Sequence, residues 1–169
     1  MESKNRVVPA IRLAFEDVPF PIHCGWNAAL AKDTSVLTAK ELIQITNMAD
    51  IKGKWWEIPF SELKNCSLAQ CYLDAKSVEF YLPAFMTGIV KNMVRPDYGH
   101  LISWLKPPPM SENLEQYNYF CDNFSLIKSK KKIVCVEVLN YIDNNLDSKD
   151  PYSKDEIQKI LEHEFWSIM

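Results

Sequence analysis

The histidine and cysteine side chains could support catalysis or metal binding, but their spacing favours neither. His23 and Cys24 are adjacent in the chain. Neighbours in a loop rarely orient as base and nucleophile, and the sequence offers no third group to orient the histidine. Cys66 and Cys71 have four residues between them, a longer spacing than that of a zinc knuckle, and no second pair follows. We therefore predict no catalytic, cofactor-binding or metal-binding residue and interpret these thiols as core residues.

The carboxylate-rich stretch 143–156, DNNLDSKDPYSKDE, is the remaining candidate site. It lacks the glycine at position six and the glutamate at position twelve of an EF-hand calcium loop. Its carboxylates could instead steer a basic protein partner, because complementary charge raises association rates. The alternative is a solvated connection whose last acids favour the start of a helix. The predicted partner-binding residues are Asp143, Asp147, Asp150, Asp155 and Glu156.

The composition indicates one globular domain, which we predict to span residues 1–169. Apolar residues make up 47% of the chain and charged residues 24%, close to the globular average. The net charge of −3 argues against direct nucleic-acid binding, since phosphate neutralisation usually requires a basic excess. The sequence shows no secretory signal and no long uncharged apolar stretch. Together with five irregularly spaced cysteines, these features predict a cytoplasmic protein without membrane contact.

Helical signals dominate the chain. Two capping boxes, Thr38 with Glu41 and Ser153 with Glu156, predict the starts of two helices. Apolar residues at helical spacing, ended by the prolines of the PFP at 19–21, predict a first helix. Its apolar stripe consists of Val7, Ile11, Ala14, Phe15 and Val18.

Two later segments add further helices. Ser111 is the predicted N-cap of a helix over 111–124, after the stiff prolines 107–109. Residues 133–142, IVCVEVLNYI, are ambiguous, because their β-branched residues favour a strand while their apolar stripe favours a helix. We interpret this segment as helical. The basic run at 128–132 is predicted to be the solvated start of that helix.

Aromatic residues gather around two prolines, in WWEIP at 55–59 and in VEFYLPAFM at 78–86. Because proline suits the first turn of a helix, the spacing predicts an extended approach over Val78–Leu82 and a helix from Pro83 to Pro96. WWEIP is predicted to be a turn whose tryptophans cover apolar surface. The predicted fold is all-α, with six or seven helices. A short strand pair near 55–60 and 75–82 is kept as an addition to it.

The segments AFEDVPFP (14–21), WWEIP (55–59) and FYLPAFM (80–86) resemble the motifs of a widespread bacterial domain family of unknown function. Its members are small and mainly helical. The similarity covers about residues 10–145, so the helix over 153–169 is expected to be an addition to the shared core. The family has no established catalytic residues. Some members resemble immunity genes, which lie beside genes for secreted toxins used in bacterial competition.

This resemblance implies a cytosolic immunity protein that binds and blocks one cognate toxin. A nuclease is the expected toxin, because nucleases are basic and suit a mildly acidic inhibitor. Inhibition would occlude the toxin's active site and would require no catalytic residue in the inhibitor. The alternatives are an enzyme or small-molecule-binding protein of unknown substrate, and a structural adaptor.

Overall fold

A computed structural model of the chain describes residues 4–64, 69–93, 97–146 and 150–167. Every regular element in these ranges is helical, which confirms the predicted all-α class. The described residues form nine α-helices rather than six or seven, and they contain no strand. The predicted strand pair is therefore wrong. Residues 55–57 form a 3₁₀ turn, and residues 75–82 belong to a long helix.

The helices follow one another along the chain with short connections. They are α1 (Lys4–Ala14), α2 (Trp26–Ala31), α3 (Ala39–Ala49), α4 (Phe60–Lys64), α5 (Ala75–Asn92), α6 (Asp97–Leu105), α7 (Leu114–Asn123), α8 (Lys130–Asn145) and α9 (Pro151–Glu162). Three 3₁₀ turns cover Trp55–Glu57, Ala69–Tyr72 and Glu164–Trp166. Among these described helices, none has the length and apolar character needed to cross a bilayer.

The core is built around α5, which packs against α1, α4, α6, α7 and α8. Twelve of its eighteen residues are buried, so most of its circumference is covered. The remaining helices close the two ends. α2 packs on α3 and on the 3₁₀ turn at Ala69–Tyr72, while α9 packs on α6 and α8.

The predicted start of α5 at Pro83 is wrong. The helix begins at Ala75, where the Asp74 carboxylate accepts the backbone N–H of Ser77 at 2.9 Å. Pro83 lies in the helix interior and cannot donate to the carbonyl of Glu79. An interior proline costs about 3 kcal/mol, and burial of the helix on most sides offsets that cost. The predicted stop at Pro96 lies outside the described residues.

The WWEIP motif fastens the chain to the end of α1. The indole N–H of Trp55, which is buried, donates to the carbonyl of Phe15 at 2.8 Å. The guanidinium of Arg12 lies over the ring of Trp56, a cation–π contact. Phe60, just after the motif, rests on Gly88 in α5, where a β-carbon would collide with its ring. These contacts give the motif a structural role.

The other predicted helices are present, but two of their starts and two of their ends differ. Helix α1 ends at Ala14, before the predicted stop at residues 19–21, and α9 ends at Glu162 instead of continuing over the predicted 153–169. The Thr38–Glu41 capping box is present, the segment 133–142 is helical within α8, and the apolar stripe of α1 is buried. Ser111 does not cap α7, because the side chain of Asn113 accepts the N–H of Gln116 instead. The predicted capping box at Ser153 is also wrong. Helix α9 starts three residues earlier, with Asp150 as the cap and proline at the first helical position.

Candidate partner-binding surface

Two of the predicted partner-binding carboxylates are buried and hold the C-terminal helix in place. Asp150 is 6% exposed and accepts hydrogen bonds from Ser153 and from the Tyr98 hydroxyl, the latter at 2.8 Å. Glu156 is also 6% exposed and pairs with Lys106 and Lys159. Hydrogen bonds from these two lysines lower the pKa of Glu156. Both carboxylates therefore serve the packing of α9 on its neighbours.

The other described members of the set, Asp143 and Asp155, are less buried. Asp143 is half-buried on α8 and accepts the side-chain amide of Gln158 at 3.2 Å. Asp155 is exposed on α9. Asp147 lies outside the described residues. A role of this stretch in partner binding stays a prediction, and Asp143 and Asp155 are its described members with surface exposure.

The histidine and cysteine candidates are separated by burial. His23 is exposed, whereas the Cys24 thiol is buried beside Lys32. Burial raises the pKa of the Cys24 thiol, and the lysine only partly opposes that effect. The interpretation of Cys71 as a core thiol is wrong, because Cys71 is exposed. Cys66 lies outside the described residues. Within the described ranges, no group of three or more histidine, cysteine, aspartate or glutamate side chains could hold a metal ion.

A buried carboxylate, Asp50, lies at the first turn of α2. Its Oδ1 accepts the backbone N–H and the side-chain amide of Asn27, each at 3.0 Å. Burial raises the pKa of Asp50 despite these bonds. Burial and the charge of Asp50 also raise the pKa of Tyr81, whose hydroxyl is buried without a regular hydrogen bond. The adjoining cavity is only about 20 Å³, so this cluster is a structural cap for α2.

Several lysines are directed toward protein atoms rather than solvent. Lys131 pairs with Glu79 of α5, and both side chains are at most one-fifth exposed. The ammonium of Lys132 donates to the carbonyl of Phe165, and that of Lys32 to the carbonyl of Tyr72. The predicted solvated role of the basic run is therefore wrong for Lys131 and Lys132. Lys131 and Lys132 hold α8 against its neighbours.

Helix α7 has a largely exposed surface. Most of its side chains are exposed, and Phe120 is its one buried residue, with Phe124 buried just after it. Glu115, Tyr119 and Asp122 lie at i, i+4 and i+7, so they share one helical face. We call the exposed side of this segment the α7 face. It consists of Met110, Glu112, Leu114, Glu115, Tyr119 and Asp122.

The α7 face combines large apolar groups with uncompensated acids. Met110, Leu114 and Tyr119 are each more than half exposed. The carboxylates of Glu112, Glu115 and Asp122 are also exposed, and none of them forms an ion pair within the described ranges. The sequence contains no lysine, arginine or histidine from residue 107 to residue 127. That gap in positive charge was visible in the sequence, whereas the exposure of the apolar residues was not.

A cleft of about 260 Å³ lies beside this face, between α6, α7 and the 3₁₀ turn at Ala69–Tyr72. Its floor is aromatic, with Phe120 stacked on Phe124 at 4.5 Å between ring centroids and Trp104 at 6.5 Å from Phe124. Gln70, whose Oε1 is buried without a hydrogen bond, contributes to the wall. Tyr119 belongs to both the cleft and the α7 face, and its hydroxyl donates to the carbonyl of Cys71 at 2.9 Å. The cleft is thus continuous with the helix surface.

The chain belongs to the family of unknown function DUF6714, whose model matches residues 3–167. The match spans all of the described helices, including α9. No curated protein and no solved structure matches the chain. Membership therefore defines the class of domain without assigning it a function.

Proposed function

We propose that this protein is an immunity-type inhibitor that binds one basic protein toxin and blocks its activity. The toxin class we propose is a nuclease encoded beside this gene. The protein acts in this proposal as a binding scaffold and not as an enzyme. The sequence motifs that resemble those of a family with immunity-like members led to this expectation.

One observation carries the proposal: three described lysines are engaged within the fold, whereas the exposed carboxylates of α7 lie in a segment without lysine, arginine or histidine. Lys131, Lys132 and Lys32 donate to protein oxygens in partly buried positions. Glu112, Glu115 and Asp122 are exposed on α7. The segment 107–127 contains no lysine, arginine or histidine, so the surface over α7 is locally acidic although the net charge is only −3. Such a surface steers and orients a basic partner.

Inhibition in this proposal occurs by occlusion. A nuclease must expose a basic surface to bind phosphate groups. Carboxylates of the inhibitor would occupy that surface in place of phosphates, and the rigid helical core would hold them in position. Because occlusion requires only complementary shape and charge, it places no demand on catalytic groups in the inhibitor.

The proposal is tested by mixing the purified protein with the purified product of the adjacent toxin gene. The measurements are complex formation by gel filtration and cleavage of a nucleic-acid substrate as the inhibitor is added. A 1:1 complex and loss of cleavage at stoichiometric inhibitor support the function. A toxin that remains fully active with excess inhibitor would show that the proposal is wrong.

A second candidate function is the binding of a small, flat, apolar molecule in the cleft. The observation that favours it is the aromatic floor of Trp104, Phe120 and Phe124 beside the unpartnered Oε1 of Gln70. Ligand sites commonly combine an apolar lining with a few polar groups. A thermal-shift screen of aromatic metabolites tests this function. The absence of any stabilising compound would leave protein binding as the better account of the cleft.

A further inference from the structure

We propose that the α7 face and the adjoining cleft together dock a basic polypeptide segment that carries an aromatic anchor residue. This inference rests on the proposed function, to which it adds the location of the interface and the chemistry of the partner segment. It replaces the acidic stretch 143–156 as the principal contact region.

Charge complementarity defines the sign of the partner. The segment 107–127 contains three acids, all exposed, and no lysine, arginine or histidine. Lys106 lies at the edge of the cleft, but its ammonium is already paired with the carboxylate of Glu156. The field over α7 is therefore negative, and it favours lysine or arginine side chains on the docking segment.

The exposed apolar residues show that the same face is also suited to burial. Leu114 and Tyr119 are 58% and 52% exposed, and Met110 precedes them on the turn that leads into the helix. Contiguous exposed apolar patches mark interaction surfaces, and these three large side chains within ten residues supply the apolar groups for such a patch. Aromatic and methionine side chains are also enriched in protein interfaces.

Tyr119 lies where the acidic helix face meets the cleft. It lies between Glu115 and Asp122 on one helical face and also lines the cleft. A partner side chain that enters the cleft contacts the rings of Trp104 and Phe120, while the residues flanking it pass over the two carboxylates. An aromatic residue flanked by cations satisfies both environments. Aromatic residues buried in such pockets carry much of the affinity of protein interfaces.

The test uses the pentapeptide Lys-Lys-Trp-Lys-Lys as the probe and the full ¹⁵N-labelled chain as the receptor. Two matched peptides replace the tryptophan by alanine or the lysines by glutamates. We expect saturable amide shifts that map to α7, to residues 69–72 and to the end of α6. We expect binding by the alanine and glutamate peptides to be at least about tenfold weaker. Shifts centred elsewhere, or no saturable shift, would overturn the inference.

Charge reversal in the receptor provides the second readout. Glu115→Lys with Asp122→Lys is compared with Glu16→Lys and Asp17→Lys, which reverse two exposed acids after α1. We expect about a tenfold loss of peptide affinity for the first pair and less than about a twofold change for the control pair. If the first pair fails to fold, Glu115→Gln with Asp122→Asn removes the charges more gently. Equal effects of both pairs would contradict the proposed location.

The same variants separate this inference from the proposed function. If the α7 variants still neutralise the toxin, and charge reversals elsewhere abolish neutralisation, the proposed function stands and the proposed surface is wrong. If the peptide binds the α7 face but the wild-type chain does not inhibit the toxin, the proposed surface stands and the proposed function is wrong.

Discussion

Gly25 and the carboxylate of Asp50 are in such close contact that no side chain fits between them. A β-carbon on Gly25 would lie 2.1 Å from Oδ2 of Asp50 and 3.0 Å from Cγ2 of Thr46. The backbone of Gly25 has φ −77, which any residue can adopt, so the requirement for glycine is steric. The contact lets Asp50 reach the N–H of Asn27 and cap α2 from 23 positions away in the sequence.

Gly25→Ala is therefore expected to destabilise the protein by about 2–4 kcal/mol, because the methyl group displaces a carboxylate that is hydrogen-bonded and buried. Gly99→Ala is the matched control, since a β-carbon there meets nothing within 4 Å. Gly99 lies inside α6, where alanine should add about 0.5–1 kcal/mol of stability. Urea unfolding of both variants measures the difference. Equal stability of the two would show that the Asp50 contact is not tight.

The carboxylate of Glu156 predicts a pH dependence of stability. Its pKa is lowered in the folded state by hydrogen bonds from Lys106 and Lys159. A lowered pKa stabilises the folded state at pH values above the ordinary glutamate pKa. That stabilisation is lost as the pH falls through the folded-state pKa. Glu156→Gln should therefore cost about 1 kcal/mol near neutral pH, a modest value because both lysines are partly solvated.

The same comparison at acidic pH tests the cause of that difference. The unfolding free energies of wild type and Glu156→Gln are expected to converge as the pH falls below the range in which glutamate ionises. Urea titrations from about pH 7 to about pH 3 follow this convergence. A gap that is constant with pH would assign the effect of the substitution to packing rather than to charge.

Lys131 and Glu79 form a largely buried ion pair between α8 and α5. Lys131→Met or Glu79→Met alone leaves one charge without its partner, so each is expected to cost about 3 kcal/mol. The double replacement by methionine is expected to recover most of this loss, because two apolar side chains can pack in place of the pair. Chemical unfolding of the four proteins gives the coupling energy. Additive single effects would mean that the two charges act independently.

Much of the fold could be predicted from local sequence, because capping and apolar periodicity act over a few residues. Thr38 and Glu41 form reciprocal hydrogen bonds within the first turn of α3. The apolar stripe of α1 is buried, as its spacing alone predicts. The start of α5 was predicted wrongly at Pro83, because burial on most sides of α5 outweighs the local preference of proline for a first turn. The start of α9 was missed because Asp150, and not Ser153, supplies the capping oxygen.

The candidate surface was less predictable because exposure depends on distant residues. The buried Asp150 accepts a hydrogen bond from Tyr98, and the buried Glu156 pairs with Lys106. Each partner is about 50 residues away in the sequence. Nothing in the acidic stretch itself reveals those partners. Conversely, Leu114, Tyr117 and Cys121 lie at i, i+3 and i+7, the spacing of a core stripe, and only the packing of α7 shows that Leu114 faces outward.

Cys71 provides a chemical probe of the cleft, because its thiol is exposed at the edge whereas those of Cys24 and Cys135 are buried. A chain with Cys66→Ser and Cys121→Ser retains Cys71 as its accessible thiol. Local burial, and next the charge of Asp33, raise the pKa of Cys71. Alkylation near neutral pH should therefore be slower than that of a free thiol, since the thiolate is the reactive form.

Asp33→Asn is expected to increase the alkylation rate of Cys71 by about twofold, because removal of the negative charge favours the thiolate. Asp17→Asn is the control, since Asp17 does not contribute to the pKa of this thiol. Occupation of the cleft by the tryptophan peptide should slow the reaction in both backgrounds, because the thiol lines the cleft. Mass spectrometry of iodoacetamide-treated protein measures the rates. Protection by the alanine peptide as strong as that by the tryptophan peptide would mean that charge alone, and not entry of a side chain into the cleft, shields Cys71.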